Sequence, residues 1–437
     1  MRARALRGAA ATVGVIAMLL TAAAGASETA AAGAPAGANA LPAASATGAH
    51  PHIDATAQQC TPGQRILTPA TSYLVERLGL EDAWALSTGS GVTVAVVDSG
   101  VEAGNVHLSG ALVRGHTTFG DGSAPADDDL FGHGTAIAGL IAARPVDGSG
   151  VVGIAPGAKI MPVRAFESAP EDGQSSRDIT GPSAASVSAG IRWAAEHGAQ
   201  IINVSLSDDQ SAGQYRSAVE FAHSRGALVV ASAGNRKTAD SNRPDPTHFY
   251  PGELDGALAV AGVLRDGTWD PNSSYAGAHV DIAAPGQSMP STYISGGDCV
   301  FNGDSASSSY ATAVVSGAAA LIAARFPDES PDQWAFRLKQ SAMRVSPAQR
   351  TSTVGWGEVR PAEALALVDD GMLPGPPSAV HPAPIPVATP PRTISIDPVP
   401  DPLDPARAIV GWAFGAGATI SAIVLLLARG RSRRARR

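Results

Sequence analysis

Residues 92–100 read VTVAVVDSG, and this stretch decides the fold class of the 437-residue chain. Val92–Val97 is a continuous apolar run rich in β-branched residues, which is typical of a strand buried on both faces. Strands of that kind occur mainly in parallel sheets that helices cover on both sides. Asp98 follows the run directly. We therefore predict an α/β fold with an acidic side chain at the end of a core strand.

Outward from that strand, predicted strands alternate with predicted helices. The further predicted strands are 159–164, 201–206, 227–231 and 257–263, and the predicted helices are 133–143, 184–197, 213–225, 310–325 and 331–343. This alternation predicts a doubly wound parallel sheet with right-handed crossovers and helices on both faces. In such sheets, functional side chains collect at the carboxyl ends of the strands.

Three further motifs lie at predicted strand or helix ends. His133 begins a helix of small residues in the run GHGT, Asn235 follows a strand in the run ASAGN, and Ser309 begins a helix in the run SYATAVVSG. Taken singly, Asp98 is open to interpretation as a turn cap, and Asn235 as an ordinary turn residue. Their joint occurrence in one order favours a shared site.

With Asp98, His133 and Ser309 in that order, the chain resembles the subtilisin-like serine proteases (subtilases, peptidase S8) over roughly residues 75–368. More narrowly, it resembles the mycosins, which are membrane-anchored subtilases associated with type VII secretion. That likeness draws on the runs WALSTGSG (84–91) and VVGIAPGAKIMPVR (151–164). The resemblance implies a subtilisin-like fold, one C-terminal transmembrane helix and serine endopeptidase activity.

The resemblance assigns a role to each motif residue. A serine hydroxyl is a weak nucleophile until a base takes its proton, and His133 would be that base for Ser309. Asp98 would accept the other ring N–H of the histidine and stabilise the imidazolium ion. Asn235 would donate a hydrogen bond to the oxyanion of the tetrahedral intermediate. We expect an acyl-enzyme mechanism that needs no cofactor and no metal ion.

The resemblance also implies a cleft that pairs with an extended polypeptide substrate. The residues expected to line this cleft are Ser205, Leu206, Ser207, Ala233 and Gly234. No run indicates a calcium-binding loop, and we interpret Asp127–Asp129 as solvated charge. We interpret four histidines as solvated loop residues: His50, His52, His107 and His381.

The serine motif departs from the subtilase pattern, which usually has Gly-Thr before the serine and Pro four residues after it. Ser307, Ser308 and Ala313 occupy those positions, and Ser207 stands where many relatives have glycine. We expect the side chain of Ser307 to crowd the cleft or the oxyanion site. Two functions therefore stay open: a membrane-anchored endopeptidase, or a weakly active or inactive subtilase fold that stabilises a secretion complex.

Ser309 has a rival as the nucleophile. Ser305 lies in the run GDS, which resembles the nucleophile motif of trypsin-like proteases. The eight-residue spacing from Ser309 to Gly317 matches the subtilase pattern and favours Ser309.

The formal net charge of −8 is unevenly distributed along the chain. Ten of the 31 Lys and Arg residues lie at the two ends, whereas all 39 Asp and Glu residues lie in 27–406, so that body has 21 basic against 39 acidic residues. Such an acidic body argues against a nucleic-acid partner. Arginine clusters at both ends are typical of signals that direct export and membrane orientation.

Composition and the resemblance to the subtilases together predict six segments. They are a signal peptide (1–26), a flexible N-terminal extension (27–66), a subtilase catalytic domain (67–370), a Pro-rich linker (371–406), a transmembrane helix (407–428) and a basic cytoplasmic tail (429–437). The apolar run in 407–428 is long enough to cross a hydrocarbon core of ~30 Å. We expect a single-pass protein of the bacterial cell membrane whose catalytic domain is extracellular.

The chain has two cysteines, Cys60 and Cys299, and both lie in the part expected to be exported. An oxidising compartment favours a disulfide between them, with two free thiols as the alternative.

Overall fold

The computed structural model describes residue 60 and residues 64–168, 180–236, 245–294, 296–381 and 403–434. In that part of the chain, seven parallel strands form one sheet in the order β2-β3-β1-β4-β5-β6-β7, and β8 pairs with β9 in an antiparallel hairpin. The strands are β1 Thr93–Asp98, β2 His116–Thr117, β3 Lys159–Arg164, β4 Ile201–Val204, β5 Leu228–Ser232, β6 Ala257–Val263, β7 Ile282–Pro285, β8 Met289–Thr292 and β9 Asp298–Phe301.

Helices cover both faces of the sheet. They are α1 Tyr73–Arg77, α2 Leu80–Leu86, α3 His133–Ala142, α4 Ala184–Glu196, α5 Ala212–Ser224, α6 Ser308–Arg325, α7 Pro331–Ser341 and α8 Pro361–Ala366; the apolar helix α9 is Asp404–Arg434. The predicted doubly wound α/β fold is confirmed.

Strand β1 shows why the sheet needs a helix layer on each side. Val94 and Val96 pack into the cluster that contains α3 and α6, whereas Ala95 and Val97 pack into the cluster that contains α4 and α5. Because side chains alternate between the two faces of a strand, an uninterrupted apolar run is buried on both.

The start of α6 lies directly against the sheet. The backbone of Ser307 passes so close to Gly262 and Gly286 that a Cβ at either glycine would come within 2.8 Å or 2.4 Å of it. The amide of Ser307 also donates to the carbonyl of Gly286 at 3.0 Å. These contacts fix the first turn of α6 beside the carboxyl ends of β6 and β7.

The hairpin β8–β9 joins the segment before the core to the body. Cys299 in β9 forms a disulfide with Cys60. Asp298 is buried, and its carboxylate accepts a hydrogen bond of 2.7 Å from the amide of Thr68. Its other oxygen lies 2.8 Å from Nε2 of His107, which is also fully buried. The interpretation of His107 as a solvated loop residue is therefore wrong.

Among the described residues, one helix is long and apolar enough to cross a membrane, Ala406–Arg429 within α9. It contains the predicted span 407–428. Four predicted segments lie wholly or partly outside the described residues: the signal peptide 1–26, the extension at 27–59 and 61–63, the linker at 382–402 and the tail at 435–437. His50 and His52 also lie outside them, so their interpretation as solvated residues stays a prediction.

Candidate active site

Asp98 and His133 meet at the carboxyl end of β1. The carboxylate of Asp98 is 1% exposed, and its Oδ1 accepts hydrogen bonds of 2.8 Å from Nδ1 of His133 and from the amide of Ser99. In a neutral imidazole this contact places the proton on Nδ1 and leaves Nε2 as the basic nitrogen. The pair therefore has the arrangement that a general base requires.

A buried carboxylate holds the first turn of α3. Asp129 Oδ1 accepts from the hydroxyl of Ser99 at 2.9 Å and from the amide of Gly132 at 2.8 Å. Asp129 Oδ2 accepts from the amide and the hydroxyl of Thr135 at 2.8 Å and 2.6 Å. A carboxylate at a helix N-terminus accepts hydrogen bonds from amide groups that have no partner in the helix. Its negative charge also interacts favourably with the positive end of the helix dipole.

Since His133 is the first residue of α3, Asp129 positions the imidazole relative to Asp98. The interpretation of Asp127–Asp129 as solvated charge is wrong for Asp129, which is 2% exposed. The signal that sequence reasoning missed was an acidic residue just before a predicted helix start.

Ser309 lies in the first turn of α6 and is 8% exposed. Its hydroxyl donates a hydrogen bond of 2.8 Å to the backbone carbonyl of Ser205. Because a hydroxyl has one proton, this bond directs the Ser309 proton to the carbonyl of Ser205. The next residue, Tyr310, has its ring centroid 5.7 Å from that of His133, so the first turns of α3 and α6 face each other.

Asn235 follows β5 and reaches the same helix turn. Its Nδ2 lies 3.4 Å from the hydroxyls of both Ser307 and Ser309. Its Oδ1 accepts hydrogen bonds from the amide and the hydroxyl of Ser308 at 2.7 Å and 2.9 Å. The structure therefore shows Asp98 in contact with His133 and Asn235 in contact with Ser309.

The five predicted cleft residues differ in exposure. Ser207 is exposed and Leu206 is half-buried, whereas Ser205, Ala233 and Gly234 are buried. The amide of Ala233 already donates to a carbonyl of β6 at 2.9 Å, and its carbonyl accepts from Nε2 of His279 at 3.2 Å. Leu206 and Ser207 thus offer the more accessible backbone.

Two observations concern ligands other than a peptide. Within the described residues, no group of three or more His, Cys, Asp or Glu side chains is placed to hold a metal ion. A cavity of about 510 Å³ is lined in part by Asp281, Lys339 and Arg350, and none of the predicted catalytic or oxyanion residues lines it. Burial raises the pKa of Asp281 in that cavity.

Comparison with known sequences places the body of the chain among characterised proteases. Residues 89–357 match the model of the Subtilase family, peptidase S8. The chain is 34% identical over 253 residues to thermitase of Thermoactinomyces vulgaris, covering 58% of this chain and 82% of thermitase. It is 34% identical over 257 residues to subtilisin DY of Bacillus licheniformis, covering 59% of this chain and 85% of that protein.

Comparison with solved structures gives a narrower likeness. The MycP3 protease from the type VII (ESX-3) secretion system is 29% identical with a TM-score of 0.57, over 70% of this chain and 96% of that one. MycP1 from Mycobacterium smegmatis is 26% identical with a TM-score of 0.58, over 75% of this chain and 95% of that one.

Proposed function

Because the chain belongs to the subtilase family of serine proteases, we propose that it is a membrane-anchored extracellular endopeptidase that uses Asp98, His133 and Ser309. The observation that carries this proposal is the contact between Nδ1 of His133 and the buried carboxylate of Asp98. It leaves Nε2 as the nitrogen that can accept a proton, and the ring centroid of His133 lies 5.7 Å from that of Tyr310 in the first turn of α6.

The reaction follows from the roles of these three side chains. The Ser309 hydroxyl turns from Ser205, His133 takes its proton, and Oγ attacks the scissile carbonyl carbon. The oxyanion that forms accepts hydrogen bonds from the amide N–H of Ser309 and from Nδ2 of Asn235. His133 returns the proton to the leaving amine, and water hydrolyses the resulting acyl-enzyme by the same route.

The oxyanion donors carry much of the expected rate acceleration. They stand at a helix N-terminus and beside a strand end, so their orientation is fixed before the reaction begins. Loss of one such donor in subtilisin slows the reaction by about 10²–10³-fold. We expect a loss of similar size for Asn235, in addition to the disruption of its bonds to Ser308.

The proposed location rests on α9 and on the structural neighbours. The segment Ala406–Arg429 has the length and composition of a membrane span, and arginines after it favour a cytoplasmic end. MycP1 and MycP3 belong to type VII secretion systems. Together these support a polypeptide-cleaving domain held outside the membrane and associated with such a system.

The direct test is labelling of the full-length protein in membranes with a fluorophosphonate, which reacts with activated serines. We expect labelling of the wild type and none of Ser309→Ala. Ser305→Ala is the matched control, since it removes the rival serine and should label normally. Labelling that survives in Ser309→Ala and disappears in Ser305→Ala would place the nucleophile at Ser305.

A second candidate function is a subtilase-fold subunit that stabilises a secretion complex with little or no catalysis. The observation that favours it is the hydrogen bond from the Ser309 hydroxyl to Ser205, which commits the one proton of the proposed nucleophile to a backbone carbonyl. Complementing a deletion strain with Ser309→Ala separates the two functions. Full secretion with this variant supports the structural role, whereas no secretion at normal protein levels supports catalysis.

A further inference from the structure

The hydroxyl of Ser307 lies between the two groups that the proposed function assigns to the oxyanion. It accepts a hydrogen bond of 3.2 Å from the amide of Ser309, and it lies 3.4 Å from Nδ2 of Asn235. A substrate oxyanion would need the same two donors. Resting on the proposed function, we infer that the Ser307 hydroxyl occupies the oxyanion hole of the free protein as an internal plug.

The plug is held in place by the fold around it. Ser307 is the N-cap of α6, in an extended conformation at φ −117° and ψ 129°, and it is 8% exposed. Its backbone passes close to Gly262 and Gly286, and its amide donates to the carbonyl of Gly286 at 3.0 Å, so the backbone is restrained on this side. Rotation about its Cα–Cβ bond would move the hydroxyl from the two donors while this backbone contact stays in place.

The nucleophile is engaged at the same time. The Ser309 hydroxyl donates to the carbonyl of Ser205, while the Ser205 hydroxyl donates to the carbonyl of Ser309 at 3.0 Å. In the free protein, both the oxyanion donors and the attacking hydroxyl are thus bound to neighbouring serines. A substrate carbonyl that enters the hole must displace Ser307 before the charge can be stabilised.

Displacement is feasible because the competing acceptors differ in charge. Hydrogen bonds to an ionised acceptor are roughly twice as strong as bonds to a neutral hydroxyl. The tetrahedral intermediate therefore displaces the Ser307 hydroxyl from the amide of Ser309 and from Nδ2 of Asn235. The two neutral hydrogen bonds that Ser307 made with these donors are lost in the reaction. Because both bonds are long, at 3.2 Å and 3.4 Å, we count the two together as one ordinary hydrogen bond, whose loss slows the reaction by about tenfold.

The same hydroxyl stabilises the fold, since it caps α6. Removing a serine N-cap lowers stability modestly when glycine replaces it and more when alanine does. Ser307 thus couples stability to reactivity in opposite directions, which is a known pattern at active sites.

The test compares rates of fluorophosphonate labelling of full-length variants in membranes, because the phosphoryl oxygen of the adduct takes the position of the oxyanion. Ser307→Gly and Ser307→Ala are expected to label about tenfold faster than the wild type. Their melting temperatures should fall, by about 1 °C for glycine and about 2–4 °C for alanine. Ser330→Gly, which removes the N-cap of α7, is the matched control and should lower stability without changing the rate.

Three other outcomes of the labelling experiment would contradict the plug. If the wild type reacts and neither variant labels faster, the inference of a plug is wrong, while the proposed endopeptidase function is supported. If only Ser307→Gly labels faster, then the Cβ of Ser307 and not its hydroxyl obstructs the oxyanion hole, which also overturns the plug. If no form reacts, Ser307→Gly included, both the plug and the proposed function are contradicted.

Discussion

Asp129 and Thr135 are joined by two hydrogen bonds to one carboxylate oxygen, from the amide at 2.8 Å and from the hydroxyl at 2.6 Å. Both residues are buried, and they close the first turn of α3 around His133. The two bonds hold the helix turn that carries His133, whose Nδ1 contacts Asp98.

Asp129→Ala is expected to destabilise the protein and to displace His133. The change leaves several buried donors without an acceptor, so the free energy of unfolding should fall by about 3 kcal/mol. The neighbouring Asp127→Ala, at an exposed position, should change it by less than about 0.5 kcal/mol. Thermal unfolding measures both, and equal melting temperatures for the two variants would contradict the stabilising role of Asp129.

Asp98→Asn is expected to keep the fold and lose the reactivity of Ser309. An amide can donate to Nδ1 of His133, which favours the tautomer with the proton on Nε2 and removes the base. The rate of fluorophosphonate labelling should fall by about 10³–10⁴-fold. Asp128→Asn is the control, and a loss of equal size there would show a general charge effect instead.

Two glycine substitutions should have opposite effects on stability. A Cβ at Gly262 would lie 2.8 Å from the backbone of Ser307, so Gly262→Ala must push the start of α6 from the sheet. A Cβ at Gly213, in α5, meets nothing within 4 Å, so Gly213→Ala should stabilise by about 0.5–1 kcal/mol. Melting temperatures and labelling rates should fall for Gly262→Ala alone; a normal rate in that variant would show that α6 tolerates the shift.

His279 is expected to make stability depend on pH. Burial, with a smaller contribution from Arg350, lowers its pKa below the ordinary 6.5, although a hydrogen bond to Ala233 and the charges of Glu253 and Asp281 oppose the shift. The unfolded chain therefore takes up the proton more readily, so the contribution of His279 is present above pH 6.5 and is lost as pH falls below it.

The measurement is the melting temperature of the wild type and of His279→Gln between pH 7.5 and 5.5. The variant should lose less stability over this range than the wild type. His381→Gln, at an exposed position, should follow the wild type. Parallel curves for the wild type and His279→Gln would contradict this role.

Elements with strong local patterns could be predicted from the sequence. The bounds of β3 and β6 agree with the predicted runs 159–164 and 257–263. Both ends of such a strand can be recognised in the sequence because polar or turn residues flank the apolar run. The hairpin β8–β9 and the two-residue β2 were not predicted. Such short strands form because neighbouring elements hold them, and their own residues carry little signal.

Burial of polar residues could not be predicted in the same way. His107 is buried because Asp298, 191 residues away along the chain, lies against its ring. The sequence shows a histidine between Val106 and Leu108 in a run that also contains polar and small residues, which is compatible with either setting. Only a partner that folding brings close makes such burial favourable.

The amino-acid sequence by itself determined the α/β class, the subtilase family and the order of Asp98, His133 and Ser309. Apolar periodicity and short motifs are local properties, so they survive without a structure. The tertiary structure alone decided which partner each serine takes: Ser309 donates to Ser205, and Ser307 lies between the proposed oxyanion donors. Hydrogen bonds require distances and angles within narrow limits, and the packing of α6 against β6 and β7 sets them.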